Sequence, residues 1–227
     1  MVKMFHAAAL LLASLATATA SPSDALKLPS CDHQGEAKGF NLIINVTDLS
    51  YDPARLIHGT GITKLELSKS DTLLIANEYA ALPLTFFQNG TDSNCELLAD
   101  SDDPAFHYGT KITVDEEFKD ISGVQLDFGH AQRGLCAVDR PPCDAFTDRE
   151  LANLLICKQK VGEYARTAHV LKQHASNRNV TIPEACMPVR LLPECAEFEK
   201  PIHTEYSGHD EAATVGCLRN VSDWIWT

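Results

Sequence analysis

Positive charge is in short supply in this chain: 19 Lys and Arg stand against 31 Asp and Glu, for a formal net charge of −12. So acidic a surface repels phosphate backbones and anionic headgroups, which argues against nucleic acid and anionic membranes as partners. Apolar runs are short beyond residue 20, and none approaches the roughly 18 residues of a spanning helix. The longest apolar-rich stretch there, Leu151 to Cys157, is broken by Asn153. Common extracellular catalytic motifs are missing as well. There is no Gly-x-Ser-x-Gly elbow and no His-Glu-x-x-His helix. No Cys-x-x-Cys occurs, and no cysteine pair has a histidine pair at finger spacing, so structural zinc is disfavoured. What the chain does have is ordinary globular composition, with 44% hydrophobic and 22% charged residues over 227 positions. That is enough for one domain with a real core, and it argues against wholesale disorder.

The first twenty residues have the form of a secretory leader. Lys3 supplies the positive end, Ala7 to Leu15 the short apolar stretch, and Ala18-Thr19-Ala20 the small residues of a cleavage site. Removing them spares all eight cysteines and makes the net charge one unit more negative. The end of the chain, Asp223-Trp224-Ile225-Trp226-Thr227, lacks the hydrophobic tail of a glycolipid anchor. The expectation is a secreted, extracellular protein: a leader at 1–20, an N-terminal segment at 21–37, a domain at 38–195, and a tail packed on it at 196–227.

Cysteine usage agrees with that compartment. Cys31, Cys95, Cys136, Cys143, Cys157, Cys186, Cys195 and Cys217 form an even set behind a leader, which predicts disulfides. Spacing alone does not choose among the pairings. Four Asn-x-Ser/Thr acceptors, at Asn45, Asn89, Asn179 and Asn220, predict N-glycosylation at exposed positions.

Alternation at period two dominates the body. In Gly39 to Val46, Phe40, Leu42, Ile44 and Val46 share one face, leaving Asn45 on the other. Ile62 to Ser68 sets Leu65 and Leu67 against Lys64 and Glu66. Further strands are expected at 72–76, 84–88, 111–114, 124–128, 154–161, 167–173 and 187–192. Asn89-Gly90 is expected to close a tight hairpin. Thr147-Asp148-Arg149-Glu150 reads as a capping box, predicting a short helix over 148–154. The class is mainly β: an antiparallel sandwich or barrel-like domain, disulfide-stapled, with one or two short helices.

Three stretches, Leu84 to Thr91 (LTFFQNGT), Leu154 to Cys157 (LLIC) and Pro183 to Leu191 (PEACMPVRL), give the chain a resemblance to uncharacterised fungal small secreted proteins. In that group an Asn-Gly-Thr hairpin precedes a strand carrying a Cys, and a Cys-x-x-Val-x-Leu strand closes the domain. The resemblance spans residues 38–195. It implies a β-rich exported domain and a bridge between Cys157 and Cys186, and it implies no catalytic residues. Cys136, Cys143, Cys195 and Cys217 are additions to the group's pattern.

Candidate chemistry is sparse. Asp100, Asp102 and Asp103, and then Asp115, Glu116 and Glu117, could supply paired carboxylates, but at turns such clusters are expected to solvate the surface. His203 and His209 with Glu205 and Asp210 are the best local metal constellation. They are read as scattered surface groups, so no metal or cofactor is expected. His58 lies beside Gly59-Thr60-Gly61, which lacks the following helix of a phosphate cradle. Asp127-Phe128-Gly129 matches a kinase tripeptide without the remaining kinase motifs. Trp224 and Trp226 could present an aromatic platform or anchor the tail. The reading is a secreted glycoprotein acting as a binding module for an extracellular ligand, a carbohydrate or a protein. Catalysis is disfavoured, and an extracellular hydrolase or a cell-wall component is the alternative.

Overall fold

The computed structural model describes residues 34–50, 54–68, 71–78, 82–90, 94–102, 106–115, 117–118, 120–129, 131–136, 153–163, 165–174, 181–198 and 208–223. The leader expected at 1–20, Cys31, Cys143, Asn179, Asp103, Glu116, His203, Glu205, both Trp residues and nearly all of the helix expected at 148–154 lie outside them.

Among the described residues the chain forms twelve strands and one α-helical turn. In chain order these are β1 (Gln34–Ala37), β2 (Gly39–Val46), α1 (Ala54–Ile57), β3 (Ile62–Ser68), β4 (Asp71–Ala76), β5 (Thr85–Asn89) and β6 (Glu96–Asp100). Then come β7 (His107–Val114), β8 (Ile121–Phe128), β9 (Leu154–Val161), β10 (Arg166–His174), β11 (Cys186–Ala196) and β12 (Val215–Leu218).

Pairing turns most of these strands into a ring. β2 pairs with β5, β5 with β6, β6 with β7 and β7 with β8. β8 then pairs with β10, β10 with β9, β9 with β11, and β11 returns to β2. Every one of these ladders is antiparallel. The result is a closed, eight-stranded barrel, which removes the exposed edges of an open sheet. The β3–β4 hairpin lies outside the ring. β4 enters the fork where β8 and β10 diverge, placing Thr72 opposite Leu126 and Ile75 opposite Val170. At another point β12 joins β11 at Glu194 and is covered in turn by β1.

The alternation that makes the strands also fills the barrel. Phe40, Leu42, Ile44 and Val46 of β2 meet Phe86, Leu97, Leu126, Ile156, Leu171 and Leu191 in one interior cluster. Ile57 of α1 and Leu135, after β8, join it with no exposed surface. Eight strands leave an interior about wide enough for side chains, so this one is occupied by its own residues. Burying each such side chain stabilises by about 1.5–3 kcal/mol. The outer face of β2 is covered too: Ile43 packs with Leu192, Leu218 and Val221.

Among the described residues three disulfides staple this frame. Cys157 and Cys186 stand opposite each other on β9 and β11 and are bridged. Cys195 joins β11 to Cys217 of β12, and Cys95 is bridged to Cys136 after β8. The tight turn expected at Asn89-Gly90 is absent. Asn89 pairs with Glu96, and the connection between them runs through Cys95. That residue is drawn away by its bridge to Cys136 and by the Gly134 N–H donating to its carbonyl at 2.8 Å. Gly90 still takes a positive φ of 75°.

Replacing both Cys157 and Cys186 by Ala removes a cross-link of sequence separation 29. Guanidinium unfolding should then show about 2–4 kcal/mol less stability, with secondary structure retained in water.

Candidate functional site: an outer cleft and an aromatic ridge

Side chains of the core cluster occupy the interior among the described residues, and two candidate sites lie on the barrel's outside and at its end. Ala168 and Val170 of β10 point outward, packing with Leu73 and Val161. Lys172 is the next residue on that same face. A lysine on an apolar stripe needs a partner, and it has one. Its ammonium is ion-paired with Asp115, just past β7, and each side chain is only 5% exposed. The other Asp115 oxygen accepts the backbone N–H groups of Glu117 and Phe118, both at 2.9 Å. The Phe118 ring lies 5.7 Å from the Lys172 nitrogen. Burial pushes the Asp115 carboxyl up, but Lys172 and the two amides outweigh it and hold the group below its ordinary value. Here the solvated-turn reading of the second acidic cluster is corrected: Asp115 is buried because β10 delivers a cation beneath it.

Above this pair opens a cleft of about 590 Å³. Thr113, Gln125 and Gln159 line it together with Asp71, Glu117 and Lys160. Gly123, directly opposite Lys172, keeps its floor open, since a Cβ there would come within 2.9 Å of Thr113 Oγ1. The Gln159 Oε1 is enclosed and accepts no hydrogen bond from the described residues.

At the far end of the β7–β8 hairpin lies a second feature. Phe106 and Phe128 are 48% and 41% exposed, with ring centroids 4.9 Å apart. Phe128 also meets the edge of Tyr108 at 5.7 Å. The Tyr108 hydroxyl donates to Glu66 Oε1 at 2.8 Å, and Lys64 reaches Glu66 at 3.0 Å and Asp102 at 2.7 Å. Burial pulls the Lys64 ammonium down, yet its bonds to Asp102, Glu66 and Tyr108 prevail and keep it well above the usual lysine value. The same bonds from Lys64 and Tyr108 hold Glu66 low.

The remaining sequence candidates are used structurally. His209 Nε2 lies 2.6 Å from Asp100 Oδ1, and its ring stacks on Phe198 at 3.6 Å and against Phe87 at 5.0 Å. This contact fixes the segment around His209 to the outer face of β5 and β6. His58 Nδ1 accepts the Val46 N–H at 3.2 Å. Asp127 is ion-paired with Lys111 at 2.8 Å, and Gly129 makes the turn that follows, with φ of 76°. Asn45 and Asn89 are half-buried and Asn220 is exposed.

Residues 37–195 match the family described as a domain of unknown function, DUF7907. The chain belongs to that family. The DUF7907 match takes in both the cleft and the ridge, whereas Asp100's partner His209 and the Cys217 half of one disulfide lie beyond it. Antigenic protein SchS34 of Stachybotrys chartarum is 26% identical over 212 residues, covering 88% of this chain and 94% of that protein. The resemblance to uncharacterised fungal proteins therefore holds at the level of the family and of a fungal relative. No solved structure matches.

Neither Lys172 nor the Phe106–Phe128 pair figured among the sequence candidates. For Lys172 a signal was available, a charge in register with Ala168 and Val170; for the Phe pair, far apart in sequence, there was none. Asp115→Asn should leave Lys172 buried without its counter-charge and cost about 3–5 kcal/mol in denaturant unfolding, with Lys172→Met in the same chain recovering much of the loss. Since the folded Asp115 carboxyl titrates below its unfolded value of about 3.9, its contribution is present above that pH and fades as pH falls through the lower, folded value. Acid unfolding of the Asp115→Asn, Lys172→Met double variant should accordingly be less steep than that of the parent.

Proposed function

We propose that the protein is an exported, N-glycosylated binding module that holds a small uncharged polar ligand in the outer cleft. The cleft carries this reading. Its volume of about 590 Å³ falls within the range of small-molecule sites. Gln125, Gln159 and Thr113 present donors and acceptors together, the pattern that suits hydroxyl or amide groups. Lys172 is already neutralised by Asp115, and Asp71 and Glu117 together outnumber the exposed Lys160, so an anion gains little there.

Export is supported by the leader at 1–20, the four acceptor sequons and three disulfides, which persist in oxidising compartments. Among the described residues no helix is long and apolar enough to cross a membrane. Of the described acceptors Asn220 is the most accessible. Its Oδ1 takes the Ser222 N–H at 3.0 Å and hydroxyl at 2.7 Å, which leaves Nδ2 to carry a glycan. Asn89, with Oδ1 enclosed and Nδ2 close to Gly208, is the poorer acceptor.

An array of neutral oligosaccharides and polyols tests the cleft. At least one should bind, and Gln159→Ala should weaken that binding about tenfold, the effect of one lost hydrogen bond. An array with nothing above background defeats the reading, and turnover of a bound compound replaces it with the hydrolase alternative. For the glycan, Asn220→Gln should raise the electrophoretic mobility of the secreted protein by one glycan; unchanged mobility before and after enzymatic deglycosylation would show the site empty.

A further inference from the structure

The aromatic ridge has no role in the fold that requires its exposure. Phe106 and Phe128 leave the interior side of β7 and β8 where the barrel ends, so their rings stand in solvent while Tyr108 behind them is 8% exposed. Leaving two large rings open, tilted 42° to each other, forgoes burial that neighbouring strands obtain. Beside them the carboxylates of Glu66 and Asp102, themselves 52% and 87% exposed, are fixed by Lys64 from beneath. Ionised carboxylates only accept hydrogen bonds, so a ligand at this rim must bring donors.

We propose that Phe106 and Phe128 form a stacking platform for the pyranose rings of an uncharged polysaccharide, with Glu66 and Asp102 accepting hydrogen bonds from its hydroxyls. The C–H face of a pyranose is apolar and flat enough to cover one ring, and its equatorial hydroxyls project sideways to where the carboxylates stand. Size separates this occupant from a protein partner. Two half-exposed rings offer on the order of 200 Å², against the roughly 800 Å² per partner of a stable protein interface. A protein face pressed over the ridge would also desolvate Glu66 and Asp102. Charge excludes the other polymers: these carboxylates, on a chain of net charge −12, repel uronic-acid and sulfated chains. The ridge uses none of the residues that line the cleft, so the two sites can be tested separately.

Affinity electrophoresis of the full secreted chain tests the idea, in gels containing laminarin, hydroxyethylcellulose or glycol chitin, with polygalacturonate as the charged control. Retardation is expected in at least one neutral polymer and not in polygalacturonate. Phe106→Ala and Phe128→Ala should each weaken it at least fivefold, and the pair should abolish it, with cooperative unfolding retained because neither ring belongs to the buried core. Phe106→Trp, with a larger π-face, should strengthen retardation, an outcome that misfolding cannot imitate. Gln159→Ala should leave retardation intact, which separates this site from the cleft. Absence of retardation in every neutral polymer, undiminished retardation of the double Ala variant, or equal retardation in polygalacturonate would overturn the proposal.

Discussion

A row of antiparallel strands becomes a barrel only where its last member reaches its first, and here that closure depends on β11. Residues Val189 to Ala196 pair with β2 while Cys186 to Pro188 pair with β9, so a single strand holds both sides of the seam. It does so despite Pro188 and Pro193, each of which removes a ladder donor. Pro188 compensates with its carbonyl, which accepts the Thr47 N–H at 3.3 Å and its hydroxyl at 3.2 Å. The bridges at Cys186 and Cys195, near either end, hold the strand in register where its hydrogen bonding is thin.

Closure decides where ligands can go. Larger barrels enclose a cavity, but an eight-stranded ring lined by Phe40, Phe86, Leu126 and Ile156 has spent its interior on packing. Polar groups that the ring cannot absorb are displaced to its outer surface or its ends. The wedge of β4 between β8 and β10 brings outward-facing residues from several strands together over Lys172. The site is thus a by-product of imperfect sheet geometry: a fork in the ladder leaves side chains facing one another across a gap.

Period-two patterning made β2 and β3 legible from residues alone, and the strand expected at 154–161 has the limits Leu154 and Val161 of β9. It failed for β6. There Leu97, Leu98 and Ala99 are buried in succession because Leu98 meets Phe87 and Ala212 on the outside while its neighbours face the core. Strands covered on both faces lose the alternation by which they are recognised. β1 and β12 were missed for a different reason, since each has only four residues and is held by the other and by the Cys195–Cys217 bridge. The candidate sites were less legible still. Asp115 and Lys172 are 57 residues apart, and only the β8–β10 contact brings them together.

The scarcity of positive charge takes on a sharper meaning in three dimensions. Lys64, Lys111 and Lys172 are each committed to a carboxylate: Lys64 to Glu66 and Asp102, Lys111 to Asp127, Lys172 to Asp115. Cations so engaged contribute little to the field beyond the surface, because each is offset by at least one adjacent carboxylate, and Lys64 by two. Acids therefore outweigh cations around both sites: Asp71 and Glu117 against Lys160 at the cleft, Glu66 and Asp102 against Lys64 at the ridge. A molecule that repels anions can still offer hydrogen bonds and aromatic faces. Those are the interactions that uncharged, hydroxyl-rich ligands use.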